Sequence, residues 1–186
     1  MARTLAKRGF PVSEIRRYLE PGPIVLVSSA SKGKTNIMTM GWHTVMEFSP
    51  SLVGCMISSG NHSHAMIRES GECVINLPTT KLTDTVVGIG NTSGNEIDKF
   101  EHFGLTRVKA AKVGVPLIGE CHASFECRLN DDALVKNYSF FVFEVVKAHV
   151  AASPKHPETL HYTGDGVFMV AGKIISRRSH FRPEML

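Results

Sequence analysis

The chain contains no apolar run of about 18 residues or more, the length a membrane-crossing helix requires. Its start, MARTLAKRGFPVSEIRRYLEPG, has no secretory apolar core, which points to the cytoplasm. There is no CxxC pair among Cys55, Cys73, Cys121 and Cys127, so these are expected to stay thiols in a reducing compartment. GxxxxGK[ST] is missing, which excludes a P-loop. A strong excess of either charge is absent: 21 Lys and Arg face 17 Asp and Glu, a mild net +4, scattered except for KRG near the start and SRRSHFR near the end. That balance gives little support to a nucleic-acid groove and suits a phosphorylated small molecule as well. No repeat or linker is present, and His62 and His64 have no nearby Cys, Asp or Glu to complete a metal site.

What remains is an ordinary globular composition, 42% hydrophobic and 20% charged over 186 residues. A chain of this size can bury roughly 70% of its unfolded surface, so one domain across 1–186 is expected, with a core at about 24–171.

Strands punctuated by turns dominate. Val12 to Leu19 reads as a helix stopped by EPGP. IVLVSS (Ile24 to Ser29) is a buried strand, and SKGK turns it into a hairpin. SLVGCMISS (Ser51 to Ser59) and ECVINLP are further strands, separated by the helical SHAMIRESG, with Ala65, Met66 and Ser70 at helical spacing and Gly71 as its stop. TTKLTDTVVGIG reads as a helix capped by Thr79 or Thr80. GNTSGNEIDKFEHFG is loop-rich, CHASFECRL alternates, and YSFFVFEVVKAHVAA is a long strand. LHYTGDGVFMVAGK folds back around Gly164, Asp165 and Gly166. A mainly β fold follows: an antiparallel, nearly closed barrel of Greek-key type with peripheral helices.

GIGNTSG (Gly88, Gly90, Gly94) is one residue too long for GxGxxG and follows a helix, so it reads as a helix stop. Two other stretches carry chemistry. In KTNIMTMGWHTVM, Asn36, Thr39 and Gly41 are poor core residues interleaved with Ile37, Met38 and Met40. A glycine within a strand marks close backbone approach, and a flat heteroaromatic ring would use those backbone groups beside Trp42. In SSGNHSHAMI a strand end meets a helix start, where free amides and the dipole attract an anion. Ser59 and Ser63 offer hydroxyls there and His62 or His64 an imidazole, while a plain polar turn capped by Ser63 accounts for the same residues.

The order TNIMTMGWHTVMEFSPSLVGCMISSGNHSHAMIRESGECVINLP, then DKFEHFGLT, then VPLIGECHASFECRL, resembles the flavin reductase-like family of FMN-binding split barrels, flavoredoxin being nearest in character. The likeness runs from about Ile24 to about Ala171. It implies that the strand Asn36, Ile37, Met38, Thr39, Met40, Gly41, Trp42 lies along the isoalloxazine ring. It implies that the turn holding Ser58, Ser59, Asn61, His62, Ser63 and His64 takes the FMN phosphate. Cys55 and Trp42 are implied to line the pocket, and Lys99 to stand near the flavin. No side chain need serve as nucleophile or general base, because the flavin carries the redox step. The resemblance further implies a homodimer with FMN at or near the subunit interface. It leaves two functions open: an NAD(P)H-dependent flavin reductase, and an electron carrier that holds FMN and serves a partner protein.

Overall fold

The computed structural model describes residues 22–182 and Glu184; the helix expected at Val12 to Leu19 lies outside them. Four strands open the described chain: β1 (Val25–Ser31), β2 (Lys34–Met40), β3 (His43–Phe48) and β4 (Ser51–Met56). α1 (His62–Ser70), β5 (Glu72–Leu77), a 3-10 turn at Thr80–Leu82, α2 (Thr83–Gly90) and α3 (Lys99–His102) follow. Short β6 (Arg107–Val108) and β7 (Leu117–Ile118) precede β8 (Ala123–Asp131), α4 (Val135–Tyr138) and β9 (Phe140–Val150). The hairpin of β10 (Leu160–Gly164) and β11 (Val167–Val170) comes last.

Seven strands form one antiparallel sheet in the order β2-β1-β5-β8-β9-β4-β3. Its two outermost strands, β2 and β3, are joined only by Gly41 and Trp42. A connection that short forces the sheet to curl until its edges approach, which is the expected split barrel. The curl encloses a core drawn from both ends of the sheet: Met38 and Met40 of β2 share one cluster with Cys55 of β4 and Phe141 and Phe143 of β9. The opposite faces of β1 and β2 carry Leu26 and Ile37 into a second layer with Val86, Ile89 and Phe100. Alternation along β2 therefore feeds two cores, and this explains why KTNIMTM carries apolar residues at both parities.

Local chemistry sets the turns. Lys32 and Gly33, at φ 49° and 75°, make the two-residue β1–β2 hairpin. Gly71 ends α1 at φ 69° and donates to the Ile67 carbonyl, as its position predicts. The buried face of α1 is Ser63, Met66 and Ile67, an i, i+3, i+4 set, whereas Ala65 and Ser70 are exposed. Thr79 and Thr80 are not side-chain caps: α2 begins after Leu82, and Thr83 Oγ1 donates to the Thr80 carbonyl at 2.7 Å. The strand expected from Tyr138 starts at Phe140, because Tyr138 ends α4 and Ser139 turns the chain at φ 53°.

The polar face of β8 is not wet. Ser124 and Glu126 are buried beneath the segment that runs into β7. Buried Asn76 organises this face: its Nδ2 donates to the carbonyls of Leu26 and Val74 and to Ser28 Oγ, while its Oδ1 accepts from Ile118 N–H and Ser124 Oγ. Every site on the carboxamide is used. Asn76→Leu is expected to cost about 2 kcal/mol in denaturant unfolding, because Ile118 N–H and the Ser124 hydroxyl lose their acceptor in a dry setting. A change within experimental error would show that water replaces the network.

Candidate functional site

A cavity of about 510 Å³ opens where α2 crosses β2. One wall is the stretch Met38, Thr39, Met40, Gly41 and Trp42. Among the described residues β2 is an edge strand paired only with β1, so half of its N–H and C=O groups point away from the sheet. Such a backbone offers alternating donors and acceptors to a flat ligand. Thr39 keeps its hydroxyl out of this set by donating to the Val86 carbonyl at 2.7 Å. Trp42 stands at the rim, 49% exposed.

The second wall is α2 itself, through Val86, Val87, Gly90 and Asn91. Tyr162, Gly166 and Phe168 of the β10–β11 hairpin form the third; the two rings are tilted together at 5.1 Å between centroids. Ile24 and Met56 complete the apolar lining. None of the lining residues among those described is charged.

Ser58 and Asn61 place the start of α1 at the same cavity. Asn61 is the N-cap residue, yet no side chain caps the first turn and no acidic residue lies in it. Asn61 N–H donates to the Ser58 carbonyl and His64 N–H to the Asn61 carbonyl, so among the described residues the amides of His62 and Ser63 and the positive end of the dipole remain for an anion. His64 cannot add much charge there: burial, then Arg68, push its imidazole below the usual range.

Of the residues expected at the site, Met38, Thr39, Met40, Gly41, Trp42, Ser58 and Asn61 come together around this cavity. The remainder stand elsewhere. Ile37 faces the outer layer, and Cys55 lies in the barrel core, where burial pushes its thiol far up. Cys73 and Cys127, opposite each other on β5 and β8, share that core; all four cysteines are free thiols. Ser59 is exposed on the turn, and His64 packs edge-on against Phe141 at 5.2 Å. His62 borders a neighbouring cavity with Lys34, Glu96 and Arg107.

Ser63 requires a correction as a phosphate-facing hydroxyl and as an N-cap. Its side chain is fully buried, and its Oγ accepts from Ser29 Oγ at 3.1 Å and Asn36 Nδ2 at 3.0 Å. The second residue of α1 faces the barrel, so the hydroxyl ties α1 to β1 and β2. Asn36 lies in the same network, 3% exposed, its Oδ1 without a hydrogen-bond partner among the described residues and so close to Gly94 that a Cβ there would overlap it. Lys99 does not line the cavity either. The residue is 4% exposed, and its ammonium donates to the Ile89 carbonyl of α2 at 2.8 Å. Asp98 does not pair with it, being the N-cap of α3 and the partner of Arg107 at 2.5 Å.

The walls made by α2 and the last hairpin carry no local signature in sequence. The Gly90–Asn91 pair belongs to the stretch read as a helix stop; that assignment is right, and the stop is also the rim.

Comparison with known proteins agrees with this geometry. Residues 16–170 match the family described as flavin reductase like domain. An uncharacterised protein of Archaeoglobus fulgidus is 36% identical over 135 residues, covering 73% of this chain and 76% of its own. Among solved structures, an FMN-binding domain of a flavin reductases-like enzyme from Shewanella baltica is 25% identical, with a TM-score of 0.76 over 90% of this chain and 95% of its own. Flavoredoxin from Methanosarcina acetivorans shares the fold, at 20% identity and a TM-score of 0.80 over 98% of this chain and 100% of its own. An antiparallel barrel split at β2 and β3, with its cavity at the seam, belongs here to the flavin reductase-like family.

Proposed function

We propose that the cavity binds FMN, with the isoalloxazine along Met38 to Trp42 and the phosphate at the start of α1, and that the protein is an NAD(P)H:flavin oxidoreductase. The observation that carries this reading is the pairing of an edge-strand backbone with an uncapped helix start around one cavity. Both halves of FMN then meet their chemical complement: a flat ring with alternating donors and acceptors, and a phosphomonoester of charge about −1.5 to −2. The chain contains the same features that test the fit. Its lining is apolar enough to exclude water from a ring, and the first two amides of α1, those of His62 and Ser63, are left to an anion among the described residues.

When bound, FMN supplies the electron-accepting ring. The chain's own contribution is placement. Backbone N–H groups on the outer edge of β2 would donate to ring oxygens and nitrogens and favour added negative charge there. Val86, Val87 and Phe168 would keep water from the ring faces.

A second reading, the FMN-holding carrier, is favoured by one feature: among the described residues no charged side chain lines the cavity to engage the phosphates of a nicotinamide dinucleotide. A homodimer is also part of this proposal. The edge strand β3 exposes Val45, Met46 and Phe48, the last at 89%, beside Trp42 at the rim. A second copy on that strand would cover them and close the site. The four free thiols suit the reducing cytoplasm.

Trp42 reports directly, since it is the only tryptophan. Adding FMN to ligand-free protein is expected to quench its emission strongly. Unchanged emission, with no flavin absorption retained after desalting, would overturn FMN binding. Rapid mixing of the loaded protein with NADH and NADPH then separates the readings: bleaching of the flavin supports the reductase, and a stable oxidised spectrum supports the carrier.

A further inference from the structure

We propose that Lys99 is a positioning residue, a buried brace that fixes the width of the slot between α2 and β2. The last carbonyls of a helix have no partner within it and carry the negative end of its dipole. In α2 that end forms the cavity wall at Gly90 and Asn91. Two side chains meet it from behind. Thr92 Oγ1 donates to the Gly88 carbonyl at 3.0 Å and reaches the Ile89 carbonyl at 3.4 Å, and Lys99 Nζ makes the shorter bond to the Ile89 carbonyl, at 2.8 Å.

The brace stands on a firm footing. Lys99 opens α3, whose N-cap Asp98 accepts from Phe100 N–H and Glu101 N–H. Arg107 grips Asp98 and lies over the Phe100 ring at 4.5 Å. Phe100 is packed in the same layer as Val86 and Ile89. Thr39 Oγ1, on β2, holds the Val86 carbonyl at 2.7 Å. α2 is thus pinned at two carbonyls three residues apart, to β2 by Thr39 and to α3 by Lys99.

A methionine would fill the same volume without the cost of burying an ammonium, which lysine rarely accepts without a carboxylate. The charge has a use here: it makes the short bond to a terminal carbonyl that Thr92 Oγ1 meets only at 3.4 Å, and it offsets the negative helix end beside the slot. Its consequence for ligand binding rests on the FMN reading; the brace itself does not.

Hydrogen exchange of peptides covering 83–92 in ligand-free protein tests the brace, and titrations with riboflavin and FMN test its effect. In Lys99→Met, and in Lys99→Gln should the first fold poorly, exchange across the end of α2 is expected to rise about tenfold, the scale of one lost charge-assisted hydrogen bond. Riboflavin and FMN should weaken by the same factor, since the slot holds the ring and not the phosphate. Methylammonium, but not tetramethylammonium, should restore both readouts in Lys99→Ala. Unchanged exchange would overturn the brace, and faster exchange with unaltered flavin affinity would reduce Lys99 to plain support of the fold. Wild-type protein that binds neither flavin would count against the FMN reading alone, leaving exchange to decide the brace.

Discussion

Ser59→Asp is expected to lower FMN affinity roughly 10- to 100-fold while leaving riboflavin affinity nearly unchanged. Two unit charges about 4 Å apart interact by about 4 kcal/mol at an effective dielectric of 20, and exposure of the turn reduces this to about 1.5–3 kcal/mol. Ser59 is exposed, and it makes no hydrogen bond that the substitution would break among those described for the turn. An aspartate just before α1 also favours the positive end of the helix, so thermal stability of the ligand-free protein should hold or rise slightly. That opposition makes the experiment decisive. A misfolding variant would lose both flavins, a phosphate-directed effect only one. Fluorescence titration of both ligands reads the difference, and equal losses would place the phosphate elsewhere.

The choice of Ser59 over Ser63 marks where sequence reasoning stops. Both serines flank the same turn and carry the same hydroxyl. Periodicity decides between them: Ser63 shares a helical face with Met66 and Ile67 and is drawn into the barrel, where Ser29 and Asn36 take its oxygen. Moving the N-cap two residues earlier, from Ser63 to Asn61, is enough to turn the side chain from solvent to core. β2 was legible for the opposite reason. Its mixture of methionine, small polar residues, glycine and tryptophan departs from an ordinary strand, and the departure reflects an edge strand that serves two apolar layers and a cavity at once.

The walls from α2 and the β10–β11 hairpin stayed hidden, because Val86, Val87 and Phe168 are unremarkable apolar residues. Only the curl of the sheet, set by the two-residue link between β2 and β3, brings them opposite Met38 to Trp42. Lys99 shows the intermediate case. Its neighbourhood was readable, but its direction was not, because an ammonium behind a helix and one facing a ligand leave the same letter in the sequence.

Glu126 gives the largest expected change in stability. Its carboxylate is fully buried on the outer face of β8 and accepts from Ala111 N–H at 2.9 Å, Lys112 N–H at 2.5 Å, Val113 N–H at 3.2 Å and His149 Nε2 at 2.7 Å. Burial pushes the carboxyl up, but the Ala111 amide, His149 and the other amides outweigh it and hold it below the usual carboxylate range. It fastens the segment whose Val115 and Leu117 pack on Val74. Glu126→Ala removes one acceptor from four donors and is expected to cost about 3–5 kcal/mol, the range seen when one partner of a buried polar pair is deleted. The pH dependence follows from the direction of the shift. With the folded value below the unfolded one of about 4.3, the ionised group stabilises the fold above that unfolded value and loses its contribution as pH falls through the folded value. Denaturant unfolding of wild type and Glu126→Gln should therefore differ most at pH ~7 and converge in stronger acid. A gap that persists undiminished below both values would mean that the side chain acts by packing alone, and that its charge does not hold the segment in place.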